Sequence, residues 1–546
     1  MAITFEQETP GEPYYTIASD GEGDSYTSRT FWVETILMGG GDDFVSVRRN
    51  GLAGTGQNLR YLERDPLVDM GAGDDTLDIQ GGTVTGGGTA EYFGGDGNDV
   101  IRFSVVPGSF LSPKIIHTIY GDDDSLDTGG HGNDRITVGE DRSIIDGGGG
   151  IDLVSYNLLL SGGISAKLPD ITPGGGQLPG VVFKAAGTDR LLRVEDIVGT
   201  QFADFLSGGN TANLINGSGG SDAIFGQNGD DTIIGGEGND YLNGGDGNDF
   251  IEGSPGFDTI NAGAGNDVVF GQTEDDFIVL GPGFDEADGG SGTDTISYAN
   301  SRGPTVVNLF EGTATIRTPD GEERDTLQNF ENIVGSVFDD ALGGNAASNN
   351  IAGGVGNDII VGLDGNDTLL GQRGNDVIAG NIGDDLILGG RGRDTIDGGF
   401  GNDQIFGGHG RDFLTGSVGD DTLVGDRGND TLLGGAGSDT LTGGRNQDEF
   451  VWRAQDFDPG DLDTITDFRP IFDTISIQGV YDLGTAAADV LTAVQVGSGV
   501  VLTADLSGTP GAGSTFFVDD FVFLEGYTID MVDLTVWQAF GAIEFV

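Results

Sequence analysis

The chain has 546 residues, of which 103 are Gly and none is Cys, a Gly content far above the roughly 7% of average usage. With 89 acidic and 24 basic residues, its net charge is −65. That charge excludes binding to nucleic-acid phosphates or an anionic membrane surface and suits a cationic partner, the simplest being a metal ion. Without Cys, neither disulfides nor thiolate sites can hold the fold. No apolar run approaches the ~18 residues that cross a bilayer, so membrane insertion is not expected.

The N-terminus, Met1-Ala-Ile-Thr-Phe-Glu-Gln-Glu8, has neither the basic nor the apolar region of a cleavable signal peptide. Residues 1–146 read as an irregular β domain carrying scattered half-units: Met38–Val45, Met70–Leu77, Gly94–Ile101 and Gly129–Ile136. Each half-unit places Asp at its sixth position, Asp99 and Asp134 among them, and an apolar residue at its eighth. The loop Pro107–Pro113 and the Arg-bearing stretch Arg48–Arg64 are this region's non-repeat features. A first β insert, 147–198, opens on Asp152-Leu-Val-Ser-Tyr156 and ends on Val194-Glu-Asp-Ile-Val-Gly-Thr200.

From Gly217 to Ser297, and again from Gly353 to Val451, the chain advances in steps of nine, twenty units in all. Position six is Asp in every unit. In the first block these are Asp222, Asp231, Asp240, Asp249, Asp258, Asp267, Asp276, Asp285 and Asp294. In the second they are Asp358, Asp367, Asp376, Asp385, Asp394, Asp403, Asp412, Asp421, Asp430, Asp439 and Asp448. Position four is Gly in all but two units, where Glu274 and Asn446 stand, and position eight is always apolar. Each block opens on a degenerate pair resembling a cap, with Asp204 then Asn213 at position six of the first block and Asp340 then Asn349 in the second. The blocks are therefore 199–297 and 335–452. A second β insert, 298–334, runs between them, and 453–546 forms a C-terminal β cap.

Two nine-residue units make one coil of eighteen, with a turn on each side and a short strand on each face. The expected fold is all-β: a parallel β-roll, or β-solenoid, with the eighth residues stacked inside. Gly serves where φ is positive, and Asn at position five (Asn239, Asn248, Asn366, Asn429) tolerates unusual backbone conformations. Stacked coils lie ~4.8 Å apart, setting Asp231 near Asp249 and Asp240 near Asp258. Like charges at that spacing repel by ~1 kcal/mol even in water, and about twenty such neighbours outweigh the ~5–15 kcal/mol that stabilises a domain. Countercharge is needed. Carboxylate and carbonyl oxygens without N or S ligands call for a hard cation, and irregular multi-oxygen geometry favours Ca²⁺ over Mg²⁺.

The nonapeptide resembles the RTX, or haemolysin-type, calcium-binding repeats. Gly443–Trp452, Asp463–Phe468 and Asp473–Ile477 look like the closing segment of serralysin-like proteins. The resemblance implies many bound Ca²⁺ ions, on the order of 15–20 at one per pair of same-side loops. It also implies export by type I secretion machinery reading an uncleaved C-terminal signal, and an extracellular location. The acidic-then-apolar end Ala542-Ile-Glu-Phe-Val546 has the character of such a signal. The Asp listed above, with Asp152, are the candidate metal ligands.

No catalytic set stands out. There is no H-E-x-x-H and no G-x-S-x-G. His131 and His409 occupy outward position three, and His117 reads as a strand or surface residue. The expectation is a calcium-binding repeat protein, leaning away from an enzyme, with a surface or matrix role. Left open are a polysaccharide-modifying enzyme of epimerase or lyase type carried on RTX modules, an adhesin, and a polysaccharide or cell-surface ligand.

Overall fold

Nine-residue steps put every apolar eighth side chain one coil above its counterpart eighteen residues earlier, and hydrogen-bonded strands follow that register. In the computed structural model Ala223–Asn228 pairs in parallel with Tyr241–Asp246, Ile224 opposite Leu242, and Tyr241–Asp246 pairs with Thr259–Ala264, Leu242 opposite Ile260. The other face repeats this with Ile215, Ile233, Ile251 and Val269. All of these side chains are fully buried, forming a thin aliphatic core between two parallel sheets. The structure describes residues 67–70, 74–80, 89–94, 97–104, 116–120, 132–138, 142–172, 177–185, 187–453, 462–469 and 472–478, with isolated strands elsewhere in 4–48 and 491–545. No helix among the described residues is long and apolar enough to cross a membrane.

The chain divides into two compact units, Met1–Gly292 and Thr293–Val546. Their boundary falls inside the last repeat of the first block. Within unit 1 the sheets run through residue 146 without interruption. Ile116–Tyr120 pairs in parallel with both Thr89–Phe93 and Arg142–Asp146, and Arg135–Thr137 with both Val100–Ser104 and Leu153–Ser155. The scattered half-units are thus longer, irregular coils of the same roll. His117 lies in one of these strands. His131, the loop Pro107–Pro113 and most of Arg48–Arg64 fall outside the described residues, as do Met38–Asp43.

Each insert adds antiparallel strands to one face while the other face continues. In unit 1, Ser165–Lys167, Gly180–Lys184 and Gly187–Leu192 intervene between Arg142–Asp146 and Phe205–Ser207. In unit 2, Thr305–Asn308, Thr313–Thr318 and Gly321–Gln328 form the meander, and the first of these joins Ala341–Gly343. Both inserts bury one carboxylate beneath a tyrosine, with Tyr156 donating to Asp189 and Tyr298 to Asp325 at 3.1 Å each. In unit 1 Lys184 also pairs with Asp189 at 2.7 Å, both side chains shielded from water.

Candidate functional site

The Asp at position six does not point into solvent; its exposure is 0–5% throughout both blocks. Its Oδ1 accepts the backbone N–H of the Asp one coil earlier, from Asp204→Asp222 at 2.7 Å to Asp430→Asp448 at 3.1 Å. The result is a pair of carboxylate ladders in each unit. One ladder of unit 1 runs Asp75, Asp99, Asp134, Asp152, and passes through Glu195, which accepts from Asp152 N–H at 3.1 Å. Glu331 plays the same part after Asp294, at 2.8 Å. Downstream, Asn213 and Asn349 stand in the ladders, donating backbone N–H to Asp231 and Asp367. At the far end Asp463 and Asp473 accept from Asp439 and Asp448. Asp75, Glu195, Glu331, Asp463 and Asp473 are ladder members beyond the position-six Asp singled out in the sequence, and Asp75 alone lay within a recognised half-unit.

The second carboxylate oxygen is the chemically informative one. Oδ2 of Asp222, Asp231, Asp240, Asp249, Asp258 and Asp267, and of the ten Asp from Asp358 to Asp439, is buried without a hydrogen-bond partner. Except at Asp267, whose turn opens on Ala262, it lies against the first Gly of its own turn, so that a Cβ at Gly235 would stand 2.4 Å from Asp240 Oδ2. The cause is the backbone at position two. In these turns φ is positive, not only at Gly but at Ser218 (79°), Gln227 (81°), Gln372 (70°) and Asp426 (69°), and the position-two N–H does not donate to the carboxylate of its own turn. Position four is likewise left-handed in most turns, and Cβ at Gly238 (φ 132°) would fall 1.6 Å from the Gly220 carbonyl oxygen. The exceptions Glu274 and Asn446 adopt φ 70° and 86°.

Burial is the leading cause of a raised pKa along the ladders. It lifts Asp222, Asp231, Asp258, Asp358, Asp394, Asp421 and Asp430 to about 7, partly offset by the accepted backbone N–H. Asp439 reaches about 8, with Asp463 and Asp421 adding repulsion. Loss of water thus outweighs the neighbour repulsion on which the sequence argument rested. A buried, singly bonded carboxylate in a ladder of carboxylates is a site for positive charge. Among the described residues no three acidic or His side chains converge on one point, so a metal ion here would draw its remaining oxygens from the backbone.

The Asn read as a conformational device has another role. Asn248, Asn366 and their equivalents are not in the left-handed region. Asn248 Oδ1 accepts Asn266 N–H at 2.9 Å and Asn366 Oδ1 accepts Asp384 N–H at 3.0 Å. Position five therefore forms an exposed ladder running opposite to the Asp ladder, a pattern legible in the recurrence of Asn and Asp there. His409 is exposed at position three, as the spacing predicts.

A family model described as the RTX calcium-binding nonapeptide repeat matches residues 198–233, 216–251, 225–260, 243–278, 270–300, 343–378, 379–414 and 415–450. Among solved structures the chain is similar to the extracellular lipase LipA from Serratia marcescens, at 19% identity and TM-score 0.17, covering 55% of this chain and 44% of that one. It is also similar to the AlgE6R3 subunit of the Azotobacter vinelandii mannuronan C5-epimerase, at 28% identity and TM-score 0.15, covering 25% of this chain and 73% of that one. No curated protein matches. Over residues 198–300 and 343–450 the chain thus carries RTX calcium-binding nonapeptide repeats, folded as a parallel β-roll.

Proposed function

We propose that this is an exported protein whose repeats remain unfolded where calcium is scarce and close into the roll on meeting it outside, after passage through type I secretion machinery. The observation carrying this reading is the buried Oδ2 of the repeat Asp, six in unit 1 and ten in unit 2, each without a protein donor. Oxygen-only donors without N or S suit a hard cation, and a flexible, carbonyl-rich turn suits Ca²⁺ better than octahedral Mg²⁺. The ion's chemistry is charge compensation: two positive charges opposite carboxylates that burial makes costly to ionise. Asp222 to Asp267 and Asp358 to Asp439 would hold the ions with backbone carbonyls of the turns. Asp276, Asp285 and Asp294 belong with them by position, giving on the order of 15–20 ions. The protein's own part is to pre-shape the turn, fix Oδ1 on the preceding coil and leave Oδ2 to the ion.

Outside the cell the folded roll would serve at a surface or in a matrix. Far-UV circular dichroism of the EDTA-treated chain, titrated with Ca²⁺ and separately with Mg²⁺, tests the reading. The expected outcome is a cooperative coil-to-β transition near about 10⁻⁴–10⁻³ M Ca²⁺ that Mg²⁺ does not reproduce. A spectrum already rich in β structure in EDTA and indifferent to Ca²⁺ would remove the physical basis for export in an unfolded state.

A further inference from the structure

One outward row of unit 1 stands apart from the acidic turns. Strand pairing places Phe183 beside Ser165, Ser165 beside Phe205, Phe205 beside Ala223, Ala223 beside Tyr241, Tyr241 beside Thr259 and Thr259 beside Phe277. An aromatic ring therefore stands on every second strand, with a small side chain between. Phe183, Phe205, Tyr241 and Phe277 are 59%, 48%, 42% and 38% exposed, much more than rings of a packed core. Phe225 lies between two of them, its ring 5.3 Å from Phe205 and 5.7 Å from Tyr241. The neighbouring row supplies the amides of Asn243 and Asn261.

Two features of this row define an occupant. The row bears no charge on a chain of net charge −65, while the turns at its edge carry Asp230, Asp246 and Asp275; a polyanion is repelled there and a neutral polymer is not. Aromatic positions two strands apart are separated by about 10 Å. In an extended β-1,4-linked polysaccharide alternate sugars turn the same face to one side, and the two-sugar repeat has nearly this length. Rings at that interval would stack on every second sugar, with Asn243 and Asn261 donating to and accepting from hydroxyls. The matching row of unit 2 carries Asn350, Thr368, Leu386, Gln404, Thr422 and Thr440 instead, with no aromatic in the series.

We propose that the Phe183–Phe205–Tyr241–Phe277 row is a binding face for an uncharged, extended β-1,4-linked polysaccharide. The proposal rests on the reading that the calcium-folded roll is displayed outside the cell, and names what it would hold there. Its test uses the full chain in excess Ca²⁺, mixed with phosphoric-acid-swollen cellulose and with chitin, against starch and alginate as α-linked and anionic controls. Circular dichroism of the same samples reports the fold separately. Binding to cellulose or chitin but to neither control is expected. The double variant Phe205→Ala/Tyr241→Ala should weaken it about a hundredfold, at about tenfold for each lost ring, with an unchanged spectrum. Phe413→Ala, which removes another exposed ring, in unit 2, should bind like the parent. A β-folded parent that ignores both β-linked polymers, or a double variant that binds undiminished, overturns the assignment. So would alginate binding, or a calcium-dependent dimer lost in the double variant, which would give the face to a second copy. A parent chain that fails to fold in Ca²⁺ sinks the reading beneath it as well.

Discussion

The middle of a carboxylate ladder and its ends are built from the same residue at the same repeat position, yet they solve opposite problems. In the middle, position two is left-handed and Oδ2 of Asp231 or Asp376 has no protein donor. In the lead-in turns of each block position two is of ordinary hand and the turn caps itself. Thr200 N–H donates to Asp204 Oδ2 and Ser336 N–H to Asp340 Oδ2, both at 2.6 Å, with the Thr200 and Ser336 hydroxyls on the other oxygen. Gly209 and Asn345 N–H reach Asn213 and Asn349 at 2.7 and 2.8 Å, and the Asn amides donate to the Glu195 and Glu331 carbonyls. At the far end Arg469 N–H caps Asp473 while its guanidinium reaches Asp448 Oδ2 at 3.0 Å and the Asn446 carbonyl at 2.6 Å. Amide, hydroxyl and guanidinium donors thus do at the ends what an external cation must do between them. Asp204, Asp340 and Asp448 are accordingly ladder caps whose oxygens protein donors already hold.

The widest break in that comparison should come from protons. Without calcium, a folded middle holds carboxyls raised to about 7, as at Asp222, Asp358 and Asp430, against roughly 3.9 unfolded. Between those values the folded state binds more protons, so its stability is present at low pH and lost as pH rises through about 6 to 7. In EDTA the chain should therefore gain β structure on going from about pH 7.5 to about pH 5, whereas in Ca²⁺ it should be β-rich at both. A calcium-free spectrum that does not change over this range would mean the middle carboxylates are not buried as described. Acid and calcium would then no longer be alternative answers to the same desolvation.

A smaller effect separates the end from the middle. Arg469→Gln removes the built-in cation from Asp448 and Asp473, leaving buried carboxylate oxygens short of a donor. Guanidinium exposure of 34% limits the loss to about 1–3 kcal/mol. Thermal melts in saturating Ca²⁺ should show it as a lowered Tm. The calcium midpoint should also rise, since the coil that closes the ladder no longer closes itself. An unchanged midpoint would show that the final turn does not depend on its own charge.

Much of this division was legible in the chain. Nine-residue steps, apolar position eight and invariant Asp fixed the coil, its core and its ladders, because each follows from periodicity alone. The degenerate lead-ins at 199–216 and 335–352 read as caps for the same reason. What periodicity could not supply was the hand of position two, where Ser, Gln, Leu and Asp adopt φ values more usual for Gly. Residues such as Gln227 and Leu363 give no local sign of it; the stacked coil imposes it. Nor could spacing place Glu195, Glu331, Asp463 and Asp473, which enter the ladders at intervals other than eighteen. The antiparallel strands of the inserts likewise take their places from the sheet edge they join.

The finest contrast is between adjacent residues, position five and position six of one turn. Asn375 Oδ1 accepts Arg393 N–H at 2.9 Å on the exposed side, while Asp376 Oδ1 accepts Asp358 N–H at 2.9 Å on the buried side. Asn375→Ala deletes an acceptor that water can replace, so about 0.5 kcal/mol of stability should be lost and the calcium midpoint should stay put. Asp376→Asn keeps nearly the same shape and an oxygen for Asp358 N–H, but turns Oδ2 into an amide donor, as Asn213 and Asn349 have it at the caps. That variant should melt near the parent at low pH, where the parent's carboxyl is itself uncharged, yet need more Ca²⁺ to fold at neutral pH. If instead Asn375→Ala moved the calcium midpoint and Asp376→Asn did not, the exposed ladder would be the ion's, and the buried one only a seam between coils.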